Sequence, residues 1–351
     1  MFSIPAIGAN VASRIENMML RGETAPKAKE ASLFSFGGNE DNLVESSFDF
    51  DDIALAPEYK AASYTNFTRT AGNGLVDFDA RQGEIGDCGL LATIRALRNS
   101  EGGQNALKDV MSYDAEFGVW SFKFNTADFK GEEPLAPITI TQAEVDKAIE
   151  DRHVSKGDDD VSAIELAVEK YLTYTGASTV NDDVNSKDKF VRQIAGMQNR
   201  SRANRMALGE QNRGYLDGVS PYIGYLFTGS IPKLASVLGE NKMGVTPEEA
   251  LNNFNKTTDM LVFSQIQPNG TVTNGKGDET SNPFITIGDD QVLGNHAYTV
   301  CEVNGDTVTL RESNNPSETI TVTKKELLEC TGKNSFYYYS YPLPEETAKA
   351  A

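Results

Sequence analysis

The chain has 351 residues, 39% of them hydrophobic, and 51 acidic against 32 basic residues give it a formal net charge of −19. That length can bury the core of two lobes, and the negative field argues against nucleic acid as a partner. No run of about twenty apolar residues is present to span a membrane, and three cysteines do not make a disulfide framework, so Cys301 and Cys330 are expected to be buried, reduced thiols.

Residues 1–60 read as an N-terminal extension. Val11, Ile15, Met18 and Met19 recur at helical spacing up to Gly22, and a stretch rich in Ala, Lys, Gly, Asn and acidic residues follows. The segment fits a prosegment, a secretion tail or an inert extension. It lacks the basic region followed by an apolar run that a secretory signal needs, so a cytoplasmic location is expected, with secretion by a route without a classical signal as the alternative.

From 61 to 205 the pattern is mainly helical. Residues 82 to 91 run Gln-Gly-Glu-Ile-Gly-Asp-Cys-Gly-Leu-Leu. Asp87 is a good N-cap, and Leu90, Leu91, Ile94 and Leu97 recur at helical spacing, which places Cys88 in the first turn of a helix. The positive end of the helix dipole and the free N–H groups there lower a thiol's pKa and favour the nucleophilic thiolate. The Gln82 amide and the Cys88 N–H are two donors of the kind an oxyanion hole needs. Further on, Trp120, Phe122 and Phe124 share one face of a short β insertion at 119–124. Asp158, Asp159 and Asp160 lack EF-hand spacing and read as a solvated loop. Ser162 with Glu165 makes a capping box for a helix whose apolar stripe is Ile164, Val168, Tyr171 and Leu172. The arginines at 192, 200, 202, 205 and 213 read as an exposed face balancing the acidic surface.

From 206 to 345 helical segments, one of them at 246–251, give way to strands at 260–266, 284–287, 298–303, 307–311, 319–322 and 336–341. The loop 267–278 is a candidate gate. Of the two histidines, His153 sits in a charged segment, whereas His296 lies in Gly-Asn-His-Ala-Tyr-Thr-Val-Cys, a polar turn entering a strand. Strand 307–311 ends in Glu-Ser-Asn-Asn-Pro. An asparagine there can meet the histidine from the adjacent strand and fix its tautomer, while the other ring nitrogen faces the thiol.

The order Gln-Gly-x-x-Gly-Asp-Cys-x-Leu-Leu, His-Ala-Tyr-x-Val, Asn-Pro resembles the protease core of the calpains, papain-fold cysteine endopeptidases. The segment 161–172 resembles the calpain helix carrying Leu-Glu-Lys-Ala-Tyr. Leu226-Phe227-Thr228-Gly229 is similar to the family's Leu-Thr-Gly-Gly turn, and 322–336 resembles its closing segment. The resemblance implies an α+β fold of papain-like two-lobe type, a helical lobe at 61–205 followed by an antiparallel β lobe at 206–345. It also implies a monomer that hydrolyses peptide bonds of a protein or peptide substrate. Carried over, it makes Cys88 the nucleophile, His296 the general base and acid, Asn315, which directly precedes Pro316, the orienter, and Gln82 the oxyanion donor. Asp79 and Glu169 match the carboxylates of the first of the family's two calcium sites; the second is not supported, because only Glu318 follows Asn-Pro. Gly89 and Ser317 stand where the family has tryptophan. Two other readings stay open: a thiol deamidase or transglutaminase, which an aspartate as third partner would suit better, and a papain-fold binding module whose catalysis those two substitutions have disabled.

Overall fold

Leu90, Leu91, Ile94 and Leu97 lie buried along one helix, α1 (Cys88–Asn99), as their spacing predicts. The computed structural model describes residues 63–74, 79–83, 85–125, 136–176, 221–230, 232–236, 245–266, 271–273, 279–281, 284–294, 296–330 and 333–341. The amphipathic pattern near residue 11, the arginines from 192 to 213 and much of the 267–278 loop lie outside the described residues. Ser100 ends α1, and its hydroxyl accepts from the Gly103 N–H to cap α2 (Glu101–Val110). Three antiparallel strands follow, β1 (Met111–Asp114), β2 (Val119–Phe122) and β3 (Ile138–Thr141), and Trp120, Phe122 and Phe124 are all buried. A Thr141–Glu144 capping box then starts α3 (Gln142–Glu150).

The next helix, α4 (Asp159–Gly176), departs from the sequence reading. It begins three residues before Ser162, so no capping box forms there. Ser162 instead donates to the Ser155 carbonyl at 2.8 Å. Asp158, Asp159 and Asp160 are buried, not solvated. Asp160 accepts the Trp120 indole N–H and the N–H groups of Gly72 and Gly74, and Asp159 accepts Arg69. The donors that make the burial of Asp159 and Asp160 tolerable come from segments far from them in sequence, which a local acidic pattern cannot reveal.

Beyond 220 the elements are a single helical turn, α5 (Tyr225–Thr228), then β4 (Lys233–Ser236), α6 (Pro247–Asn252) and β5 (Asp259–Ile266). Part of the expected gate loop is a hairpin, with β6 (Thr271–Thr273) paired to β7 (Glu279–Ser281). A second hairpin, β8 (Phe284–Ile287) with β9 (Asp290–Leu293), leads into β10 (His296–Asn304) and β11 (Thr307–Arg311). The last elements are β12 (Ile320–Thr323), α7 (Lys324–Glu329) and β13 (Lys333–Ser340). One antiparallel sheet, in the order β12-β11-β10-β5-β13-β4, unites the longer strands. Mixed helices and antiparallel sheet make the fold class α+β. Among the described residues no helix is long and apolar enough to cross a membrane.

Met260, Leu261, Val262 and Phe263 are all buried because both faces of this sheet are covered. Met260 and Val262 join Ala297 and Tyr339 in the core shared with α1, whereas Leu261 and Phe263 join Tyr298, Val300 and Phe336 in a second core with Leu251 of α6 and Leu327 of α7. Helix α1 runs along β10 in the same direction. Thr299 Oγ1 donates to the Ala92 carbonyl at 2.9 Å, and Asn99 Nδ2 donates to the Cys301 carbonyl at 2.8 Å. From Cys88 to Asn99 the helix rises about 16 Å, and from His296 to Cys301 the strand covers the same length of about 16 Å. The match in rise brings the first residue of the helix to the first residue of the strand. Each buried leucine or isoleucine of α1 contributes about 1.5 to 3 kcal/mol to holding that alignment.

Candidate active site

The segment 79–83 fits between the 152–157 segment and the turn at 312–315 because two glycines allow a close approach. A Cβ on Gly83 would stand 2.4 Å from the Arg152 carbonyl oxygen and 2.6 Å from that of Val154. One on Gly157, whose φ is +135°, would stand 1.9 Å from the Asp79 carbonyl oxygen. Arg81 and Lys156 exchange both backbone hydrogen bonds, at 2.9 and 3.0 Å, and the Gln82 N–H donates to the Ser313 carbonyl at 3.0 Å. The buried Gln82 amide is fixed at both ends. Its Nε2 donates to the Ile85 carbonyl at 2.6 Å, and its Oε1 accepts from Ser313 Oγ at 2.6 Å. One of the two Nε2 hydrogens is thereby used.

Asp87 takes the N-cap position, and its carbonyl accepts the Leu90 and Leu91 N–H groups. Its carboxyl makes no capping bond; it is buried against Glu165 of α4. Cys88 follows, partly exposed and unpaired. Burial pushes its thiol up, but the charge and hydrogen bond of His296, with the N–H groups of Ala297 and Gly89, outweigh this and leave its pKa below the ordinary value. His296 is buried at the first position of β10, with Nε2 3.1 Å from Glu312 Oε2, which leaves Nδ1 for the thiol. Burial lowers the imidazole, yet Cys88 and then Glu312 reverse that effect and push it up to about 10. A lowered thiol and a raised imidazole together favour thiolate and imidazolium. The Tyr298 ring meets the imidazole edge-on at 5.3 Å between centroids, shielding one side of it.

The carboxylate of Glu312 is hydrogen-bonded to this histidine, in the position the sequence reading gave to Asn315. Its Oε2 also accepts the Asn314 N–H at 2.8 Å, which fixes the carboxylate, and Ser313 Oγ lies 3.4 Å from the same imidazole nitrogen. Asn315 is buried nearby in the turn, where its Oδ1 accepts from Ser317 Oγ at 3.4 Å and its carbonyl accepts the Glu318 N–H. Strand register explains the difference. Thr299 pairs with Arg311, so the next position puts Glu312 opposite Tyr298 and on the same face as His296, diagonal to it. The signal was present in Arg-Glu-Ser-Asn-Asn-Pro, but reading it required the register of β10 against β11.

The two remaining sequence-derived residues, Asp79 and Glu169, lie in different settings. Asp79 is exposed, whereas Glu169 accepts His153 Nε2 at 2.8 Å and holds that imidazole above its ordinary pKa. A calcium ion at Glu169 Oε2 would compete with the His153 imidazole for that oxygen. Among the described residues no group of three or more His, Cys, Asp or Glu side chains is placed to hold a metal. Cys301 and Cys330 form no disulfide and are partly rather than fully buried. In comparison with known proteins, the chain matches no protein-family model, no curated protein and no solved structure.

Proposed function

We propose that the chain is a calpain-like cysteine endopeptidase of papain-like two-lobe type that works through Cys88, His296 and Glu312. The observation that carries the reading is the convergence of a helix-start thiol with a lowered pKa on a buried histidine that a carboxylate orients. In the reaction, the Cys88 thiolate attacks a peptide carbonyl carbon and forms the C–S bond. The carbonyl oxygen becomes an oxyanion, stabilised by the Cys88 N–H and the second Nε2 hydrogen of Gln82. The intermediate collapses as His296 Nδ1 gives its proton to the departing amine, leaving a thioester. Neutral His296 then takes a proton from water, whose oxygen attacks the thioester carbon. The C–S bond breaks, the acid product leaves, and thiolate and imidazolium are restored. No step runs through calcium, because Glu169 is engaged by His153. A reducing, cytoplasmic compartment belongs to the proposal, and three cysteines that form no disulfide support it.

The carboxylate at the third position also favours a second reading, a thiol deamidase or transglutaminase, in which the same acyl transfer starts from a side-chain amide. An unfolded protein offered to wild type and to Cys88→Ala separates them. New N-termini that vanish in the variant are the expected result. Ammonia release without chain cleavage selects the amide reading, and cleavage that survives Cys88→Ala rejects both.

A further inference from the structure

The nucleophile is preceded by a carboxyl group that the reaction above does not use. Asp87 is 1% exposed and Glu165 is fully buried. Each is the other's neighbouring acid, and two carboxyl groups buried side by side cannot both ionise without a large electrostatic cost, so one of them carries a proton. Their surroundings decide which. Glu165 accepts the Ser155 N–H at 3.0 and 3.1 Å on its two oxygens and the Ser155 hydroxyl on one, and all three contacts favour its ionised form. Asp87 receives nothing comparable. Apart from its own backbone N–H, its oxygens have no donor, and the groups it faces are Glu165 and the Cys88 thiolate.

We infer that Asp87 is a neutral carboxylic acid in the working enzyme, whose O–H donates to the Glu165 carboxylate and so holds the start of α1 without placing negative charge beside the Cys88 thiolate. The inference rests on the proposed role of Cys88 as a thiolate nucleophile. Burial and the adjacent Glu165 raise the Asp87 pKa well above the carboxylate range, in agreement with the geometry. The other titratable groups facing the pair are Cys88 on α1, His153 in the 152–157 segment and Tyr64 in the short helical turn Tyr64–Asn66. The pair joins three pieces of the site. Glu165 belongs to α4, Ser155 to the segment that brackets Gln82, and Asp87 to the first turn of the nucleophile helix. Asp87 and Glu165 are thus positioning residues.

The test is the rate of Cys88 alkylation by iodoacetamide as a function of pH, in the full chain, for wild type, Asp87→Asn, Asp87→Ala and Glu165→Gln. An asparagine amide can donate to Glu165 as the acid does, so D87N keeps the wild-type midpoint or lowers it, and it rescues what D87A disturbs. In E165Q the glutamine amide donates to Asp87, which becomes a carboxylate next to the thiol, and the midpoint rises by about one pH unit or more. A purely packing role would not separate these two variants. Equal midpoints in D87N and E165Q, or a rise in D87N, overturn the inference. Difference infrared spectra of wild type against D87N give an answer even if E165Q fails to fold. The carbonyl stretch of a protonated carboxylic acid must be present in wild type and lost in D87N, and its absence from wild type overturns the inference. Alkylation needs no substrate, so the two claims fail separately. A lowered wild-type midpoint without protein cleavage sinks the endopeptidase reading alone, and wrong variant midpoints with Cys88-dependent cleavage sink this one alone.

Discussion

On the sheet side of the site a buried glutamate, Glu312, faces a histidine; on the helix side another, Glu165, faces an aspartic acid. Both carboxylates are removed from water and both accept a backbone N–H, from Asn314 and Ser155 respectively. Their partners then separate them. His296 answers Glu312 by gaining a proton and a positive charge, whereas Asp87 answers Glu165 by keeping a proton and staying neutral. Burial fixes the cost of an unpaired charge, and the partner decides where the proton rests. In this site both answers serve one end, a thiolate with a cation on one flank and no added anion on the other.

The largest test of that contrast removes the charge on the sheet side. Glu312→Gln keeps an acceptor for the imidazole N–H but no longer stabilises the imidazolium, so kcat/KM should fall by about 100-fold to 10,000-fold. Asn315→Ala should leave kcat/KM far closer to wild type, since the Glu312 carboxylate is hydrogen-bonded to the imidazole. Equal losses in the two variants would return the orienting role to the asparagine. The pH profile carries the same contrast. Activity should rise as Cys88 ionises, below the ordinary thiol range of about 8.5, because its pKa is lowered. It should fall as His296 loses its proton near about 10, and in Glu312→Gln this upper limb should move to lower pH. An upper limb unmoved by that substitution would break the link between Glu312 and the imidazole.

A smaller effect is expected from the helix side. Ser155→Ala deletes the hydroxyl donor to Glu165 while leaving the backbone N–H in place, which should lower unfolding stability by about 1 to 3 kcal/mol in urea denaturation. Ser313→Ala, its counterpart on the sheet side, frees Gln82 Oε1 and loosens the amide that faces the oxyanion, so its loss should appear mainly in kcat. If both variants lose only stability, Gln82 is a structural residue and the oxyanion has another donor.

What the sequence revealed follows from how local each interaction is. The apolar spacing of Leu90, Leu91, Ile94 and Leu97 is a property of one helix, so that element could be read directly, whereas the Ser162–Glu165 pattern sits inside a helix that starts at Asp159 and makes no cap. Cys88 and His296 were legible as types in favourable places. Glu312 was not, because its role depends on which residue of β10 stands opposite it, and register is a pairing between strands. The buried acids were missed for a related reason. Asp158 to Asp160 read as a solvated loop, and Asp87 and Glu165 as capping residues, in a chain with 51 acidic residues, and only partners distant in sequence show that they are buried.

The smallest expected effect concerns His153 and Glu169, the ion pair at the outer end of the helix side. The hydrogen bond to Glu169 raises the His153 pKa, with burial opposing it. A histidine whose folded pKa is raised contributes stability that is fully present below its unfolded value, about 6.5, and is lost as pH rises through the folded value. Both side chains are about one-fifth exposed, at 23% and 19%, so water screens the pair. Glu169→Gln should therefore cost only about 0.5 to 1 kcal/mol at mildly acidic pH, with the difference from wild type shrinking as pH rises. Urea denaturation at two pH values reads it. The same variant decides the calcium question. If Glu169 were a calcium ligand, added calcium would stabilise wild type and not Glu169→Gln, whereas engagement by His153 predicts no calcium-dependent difference between them. A loss that grows with pH would show that the pair is not held together by the histidine's charge, and that the helix side has a single proton-sharing contact, the one at Asp87.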